Sequence, residues 1–358
     1  MLAARPDLCQ RVRALIMDGV HVDFEFGHLR EAIVGMGVMR YPDVERAAWA
    51  AEALRVHPED EAARARERSG MHSRDLPKYG LVETENDELI QVLEHHGVVV
   101  HRPDPLTDEL VAANYGREWL VNGCIQTYGR DPIFVVGDNV IELAPGGANR
   151  RAEILGYRRL FAERLAGSGA RWRQMPAIDV SAIGTPGYDK ERQPVLEGGD
   201  LLVFGSTVLA GTSLNRAVGS SVAGVRWLSS LLAPQGHRLE RVPLADGFLH
   251  LDVCMSTPRD GLAIVCPDAF PEGLPPLLDG WDLIEVSREQ ARLLACNGLP
   301  LDPENYILGH SEAADGREVQ AALEERGIAV HRVGFGNHTE DGGSIRCATH
   351  PLVRRLQD

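Results

Sequence analysis

Nowhere in its 358 residues does the chain carry 18 consecutive apolar residues, so no segment reads as a membrane span. It is also short of positive charge: 37 Lys and Arg stand against 52 Asp and Glu, a net charge of −15. Nucleic acid and anionic membranes are gripped by concentrated positive charge, so neither is expected as the main partner, and a small cationic substrate suits the balance better. Cysteine is sparse. Cys9, Cys124, Cys254, Cys266, Cys296 and Cys347 lie far apart with no C-x-x-C pair, which excludes a disulfide-stapled secreted scaffold and reads as reduced thiols. Arg5, Asp7, Arg11, Arg13 and Asp18 interrupt the apolar residues of Met1 to Val20, so no signal peptide is expected and the cytoplasm is the default location. Low-complexity stretches and proline-rich linkers are lacking as well. What remains, 44% hydrophobic and 25% charged, is the composition of a globular protein with a real core.

Leu29 to Val38 reads as a strand, and the Ala-, Glu- and Arg-rich Val44 to Arg66 as a helix interrupted at Pro58. Leu89, Ile90, Val92 and Leu93 sit near helical spacing within a helix from Glu85 to His96. Gly97 stops it before the β-branched run Val98 to Val100. Further helices are expected at Arg150 to Leu165, Leu214 to Leu232, Ser287 to Leu294 and Arg317 to Arg326.

Between them a pattern recurs: a polar cluster, an apolar strand, a tight turn, a second apolar strand. It occurs at Arg130-Asp131 with PIFVVGDNVIEL, at Glu197-Gly198-Gly199-Asp200 with LLVFGSTVLAG and at His250-Leu251-Asp252 with VCMSTPRDGLAIV. Weaker copies follow at Cys296-Asn297-Gly298 and at Gly342-Gly343. The spacing of roughly 45 to 70 residues predicts related ββαβ modules around an axis, with the polar clusters converging on one site.

The clusters hold residues suited to chemistry. Cys347 lies among Ser344, Arg346 and Thr349 just after two glycines, where backbone can approach a ligand closely. A lone cysteine is more often a buried small hydrophobe, a reading that fits Cys124, Cys254 and Cys266 in or beside apolar strands. His250 and Asp252 are two apart on what reads as a strand, so their side chains share a face. One can act as general acid/base beside the other, or both can be the polar side of an edge strand. Two such groups do not make a metal site, and His95-His96 reads as a solvated helix end. Asp131 and Glu197 stand at the mouths of strands, where a carboxylate can accept paired hydrogen bonds from a guanidinium, although each is also an ordinary turn residue.

In this order, Arg130-Asp131-Pro132 with GDNVIE, Glu197-Gly198-Gly199-Asp200, His250-Leu251-Asp252 and Gly342-Gly343-Ser344-Ile345-Arg346-Cys347-Ala348-Thr349 resemble the guanidino-group modifying enzymes, over about Phe26 to Arg355. The opening FGHLREAIVG and the stretch from Arg130 to Tyr157 look most like the amidinotransferase branch. The resemblance implies an α/β fold, a five-bladed pseudosymmetric propeller of ββαβ modules. Residues 1–80 would form an opening strand and helical arm, and 81–358 the catalytic part of one compact body. It implies Cys347 as nucleophile, His250 as general acid/base, Asp131 and Glu197 as the carboxylates that hold the guanidinium, Asp252 as support for the histidine and substrate, and Asp200 as structural. Arg346 stands where many relatives have His, so it contacts a substrate carboxylate or phosphate or supports the loop, and Asn297 falls in a loop resembling part of the substrate pocket. Where the glycine-specific enzymes place an Arg for the donor carboxylate, this chain has Ala269 beside Asp268.

The implied reaction moves the amidino group of L-arginine to an acceptor amine through an amidino-cysteine, with no metal and no organic cofactor. A deiminase-like hydrolase and a catalytically silent guanidino-binding protein stay open beside it. Small molecules are the expected partners, and a homodimer is left open.

Overall fold

The computed structural model describes residues 19–54, 59–179, 182–183, 185, 187–215 and 218–356. The segment read for a leader up to residue 18, Cys9 and Pro58 lie outside them.

The recurring pattern becomes the same piece of structure each time: an antiparallel strand pair followed by a third strand parallel to the second. Ile133–Val136 and Asn139–Glu142 pair antiparallel across Gly137-Asp138, the helix Ile154–Leu165 crosses over, and Arg171–Gln174 joins Asn139–Glu142 in parallel. Leu201–Phe204, Thr207–Thr212, the helix Val222–Leu232 and Arg238–Pro243 repeat the arrangement, and so do Leu299–Asp302, Asn305–His310, the helix Arg317–Glu324 and Ala329–Gly334. A parallel third strand requires a crossover, which the amphipathic helix supplies while burying its apolar side. The module after His250 differs. Met255–Arg259 pairs with Leu262–Val265, and short 3-10 turns at Pro267–Ala269 and Pro276–Leu278, in place of a helix, lead to Asp282–Glu285.

The remaining large sheet is assembled from both ends of the described chain. The strand Thr349–Arg355 pairs antiparallel with His28–Val34, which pairs in parallel with Val99–His101 after the helix Lys78–His95. The short His21–Val22 adds a parallel edge. The opening strand thus sits at the centre of a sheet, and its Ala32, Ile33 and Val34 are fully buried. Burying such side chains contributes about 1.5–3 kcal/mol each. The arm reading resolves into helices Ala48–Leu54 and Glu59–Glu67, and the strand expected to reach Val38 ends at Val34.

One expectation is corrected: His250-Leu251-Asp252 is not strand. Leu251–Cys254 is a short helical turn with His250 at its N-terminal boundary, and the strand begins at Met255. The Asp200 carboxylate accepts the Leu251 N–H at 3.0 Å and the Ser220 N–H at 3.1 Å, tying the turn to the glycine-pair loop. Ile345–Ala348 is likewise a helical turn, and strand starts at Thr349. Among the described residues, no helix is long and apolar enough to cross a membrane.

Candidate active site

The polar clusters at the starts of the strand pairs meet in the interior. Asp131, Glu197, His250, Asp252, Asn297, Arg346 and Cys347 are all buried. Two glycines let them come this close. A Cβ on Gly199 would stand 2.7 Å from the His250 ring, and one on Gly343 would run into the Tyr128 ring, which shares an apolar cluster with Cys347, Tyr41 and Ile125.

His250 lies between carboxylates. Its Nε2–H donates to Glu197 at 2.5 Å, and its Nδ1 stands 3.9 Å from Asp131. Burial by itself would lower the imidazole pKa, but Asp131, Glu197 and Asp200 raise it to about 10. Burial likewise pushes Glu197 upward, and the hydrogen bond and charge of His250, with Arg150, bring it down to about 2. The pair is therefore imidazolium and carboxylate at neutral pH. The other Glu197 oxygen accepts the Gly146 N–H at 2.9 Å.

Asp131 is held from two sides: Gly199 N–H donates to it at 2.7 Å and Arg150 Nη1 at 2.6 Å. Arg150 also bonds both oxygens of Glu153 and the Tyr128 carbonyl. The sequence reading placed Arg150 in its expected helix without a role; the Arg-Arg pair after the strand Asn139–Glu142 is the signal that could have marked it.

The thiol of Cys347 faces Asp252 Oδ2 at 3.7 Å. Burial, then the charges of Asp252 and Asp131, push it well above its ordinary pKa, so the sulfur carries its proton at rest. Asp252 is the most distinctive group here. Its Oδ2 accepts from Arg346 at 2.9 Å, while its Oδ1 is buried with no hydrogen-bond partner among the described residues. Its side chain faces Arg346 and the thiol, not the imidazole it was expected to support.

Arg346 and Asn297 turn out to hold the loop. Arg346 donates to Asp252, to Glu25 and to the Leu201 carbonyl, so each of its three nitrogens is engaged by protein. Asn297 accepts the Cys347 N–H at 3.1 Å and donates to the Asp252 carbonyl at 3.1 Å, clamping nucleophile loop to helical turn. Sequence reasoning missed Glu25, and it quoted Arg130 in a motif without giving it a role. Arg130 N–H donates to the Cys347 carbonyl and its side chain to the Arg346 carbonyl. Ala269 is buried, and Asp268 next to it is exposed. Among the described residues, no group of three or more His, Cys, Asp or Glu is arranged to hold a metal ion.

A thiol, an imidazolium and carboxylates around one buried point can hold a planar cation, attack it and protonate what leaves. A family model described as N,N dimethylarginine dimethylhydrolase, eukaryotic, matches residues 173–354. An L-arginine:L-lysine amidinotransferase of Pseudomonas savastanoi pv. phaseolicola is 24% identical over 299 residues, 77% of this chain and 79% of that one. An inosamine-phosphate amidinotransferase of Streptomyces griseus is 25% identical over 363 residues, 96% of this chain and 99% of that one. In structure, an amidinotransferase from the saxitoxin biosynthetic pathway of Microseira wollei superposes with a TM-score of 0.73 at 22% identity, over 95% of this chain and 99% of that one.

Proposed function

The chain belongs to the guanidino-group modifying enzymes, on their amidinotransferase branch, and from that premise we propose that it transfers the amidino group of L-arginine to an acceptor amine through a covalent amidino-cysteine on Cys347. The observation that carries this reading is Asp252, whose Oδ2 faces the Cys347 sulfur at 3.7 Å while its buried Oδ1 has no hydrogen-bond partner among the described residues. An unpartnered buried acceptor is costly, and a guanidinium supplies the missing N–H and the missing charge together.

A guanidinium is a weak electrophile because its charge is delocalised, so it must be held rigidly before a strong nucleophile. Its positive charge next to Cys347 favours the thiolate that burial alone disfavours. The Cys347 proton leaves to solvent as the cationic substrate enters, the thiolate attacks the central carbon, the bond from that carbon to the ornithine nitrogen breaks, and His250 gives its proton to the departing amine. The acceptor amine then attacks the amidino carbon, returns a proton to His250 and releases the thiolate. Asp131 and Glu197 hold the imidazolium ready and oppose the spread charge.

The family-model match carries a hydrolase description, and residues 173–354 include Glu197, His250, Asp252 and Cys347 but not Asp131. Those four serve the attack of sulfur on the guanidinium carbon, which transferases and hydrolases share; if ammonia leaves in place of ornithine, water attacking the remaining adduct gives citrulline. We also read the five sheets of three or four strands as the blades of a five-bladed propeller. The pairing of His28–Val34 with Thr349–Arg355 in one blade supports reading the described parts of 1–80 and 81–358 as one body.

The test is mass spectrometry of protein and products after incubation with guanidino-labelled arginine, with and without a panel of amines, on wild type and Cys347→Ala. Ornithine with a labelled guanidinylated amine is the expected result. Citrulline and ammonia without an amine would make the protein a hydrolase, and an unlabelled protein without products would overturn both.

A further inference from the structure

A cavity of about 360 Å³ opens beside the catalytic cluster, with Arg150, Arg151, Glu142, Tyr115 and Trp119 among its walls. Arg150 is fully engaged by Asp131, Glu153 and Tyr128. Arg151, its neighbour in sequence, is not. Its Nε and Nη2 are shielded from water with no hydrogen-bond partner among the described residues, while its carbonyl is pinned by the Tyr115 hydroxyl at 3.0 Å. Trp119, stacked on Tyr115 with ring centroids 5.2 Å apart, carries an indole N–H in the same condition. The Tyr188 hydroxyl, on a side chain packed with Trp119 against the same apolar cluster, is a third buried group with no hydrogen-bond partner among the described residues.

Three buried donors without acceptors in one neighbourhood are not explained by folding, which selects against such groups. The edge of a guanidinium formed by Nε and one terminal nitrogen is the edge that takes a carboxylate or phosphate through two parallel hydrogen bonds. Arg150 lines the same cavity and bonds Asp131 at 2.6 Å, which puts the cavity wall that carries Arg151 beside the reacting cluster. Glu142, held by Gln174 at 2.9 Å, gives the same cavity an acidic side that suits a ligand bearing an ammonium group as well as an anion.

We propose that Arg151, assisted by the Trp119 indole N–H, is the specificity-determining anion corner of the substrate cavity. Its Nε and Nη2 edge takes the carboxylate or phosphate of a substrate whose amine or guanidine end reaches His250 and Cys347. The word substrate rests on the amidino-transfer reading; the anion site itself does not.

Calorimetric binding in a Cys347→Ala background, where ligand is held without turnover, separates the two. The probes are L-arginine against agmatine, which lacks the carboxylate, and O-phosphoethanolamine against ethanolamine. Adding Arg151→Gln is expected to weaken at least one anionic probe tenfold or more and to leave its counterpart that lacks the anionic group within twofold. A loss confined to arginine identifies a carboxylate site, and one confined to phosphoethanolamine a phosphate site. Arg151→Lys should recover part of the affinity. Trp119→Phe, which removes one N–H and little volume, should weaken the same probe to a smaller extent should Arg151→Gln fold poorly. Equal weakening within each pair, or no change in either, overturns the anion corner. Intact anion binding in a protein that never labels an amine would instead count against the transfer reading alone.

Discussion

Two buried charge clusters meet at Asp252, and they are built on opposite plans. Around Arg346 the charges close on themselves: Glu25 accepts from its Nε and Nη2, the Leu201 carbonyl also from Nη2 and Asp252 Oδ2 from Nη1, and neighbouring Arg354 donates to the carbonyls of Glu25, Gly27 and Pro300. Burial would raise the Glu25 pKa, but Arg346, Arg130 and Arg354 hold it below its ordinary value. Around His250 the balance stays open. Asp131, Glu197 and Asp200 surround one imidazole, and Asp252 Oδ1 has no donor among the described residues. A closed network makes its surroundings rigid, and an open acidic one is prepared to receive a cation. Asp252 stands at the edge of the first: its Oδ2 holds Arg346 and faces the Cys347 sulfur, and its Oδ1 has no hydrogen-bond partner among the described residues.

The sharpest separation comes from the sulfur. Cys347→Ala should lower turnover by a factor on the order of 10^4 to 10^6, as loss of a nucleophile does elsewhere. The thermal midpoint should scarcely move, because a small buried thiol is replaced by a small apolar group. Steady-state rates beside a melting curve check both halves.

Arg346→Met tests the closed cluster. Removing the guanidinium strands Glu25 and Asp252 in the interior, with an expected stability loss of about 3–5 kcal/mol in urea titration. Unchanged stability with a raised KM would break the comparison and make Arg346 a substrate group.

Asp252→Asn keeps an acceptor for Arg346 but gives up the charge offered to the guanidinium. A lost charge-assisted hydrogen bond of about 1.5–3 kcal/mol should raise the dissociation constant for L-arginine by about 10- to 100-fold, while the urea midpoint falls less than in Arg346→Met. The binding constant and the midpoint, measured on the same protein, show which cluster each oxygen serves.

The smallest effect is read in pH. His250, raised from 6.5 to about 10, contributes stability that is complete below about 6.5 and lost as pH rises through about 10. Glu197, lowered from 4.5 to about 2, contributes stability that is present above about 4.5 and lost as pH falls toward 2. The advantage of wild type over Glu197→Gln in urea should therefore be greatest between about pH 4.5 and 6.5 and shrink on both sides. Transfer activity, which needs the imidazolium for the leaving amine, should persist through neutral pH and fall as pH passes about 10. An advantage that does not vary with pH would refute the ion pair.

Much of the site was legible because the chemistry is written in short local runs. Glycine pairs before Asp200 and Ser344 announced close backbone approach, and the recurring strand pairs announced that distant clusters share one place. The error at His250-Leu251-Asp252 has a physical source. Apolar Leu251 and Val253 alternate with polar neighbours, which is strand spacing, but Asp200 caps the Leu251 N–H and coils the segment into a turn. A four-residue turn is too short to show helical periodicity. Arg346 was ambiguous for a different reason: its carboxylate partner Glu25 lies at the other end of the chain, and nothing near Arg346 announces it.

Arg150 and Arg151 make the same point in adjacent residues. Residue type and local pattern do not distinguish them, and the fold gives one a full set of acceptors and leaves the other's Nε and Nη2 without any among the described residues. By itself the sequence determined which functional groups exist and which short segments carry them, because turns, strand pairs and close glycine approaches depend on neighbours along the chain. Which carboxylate meets which cation, and which buried oxygen is left without a donor beside Cys347, was decided only when strands from both ends of the described chain packed together, because hydrogen-bond partners are selected by distance in space.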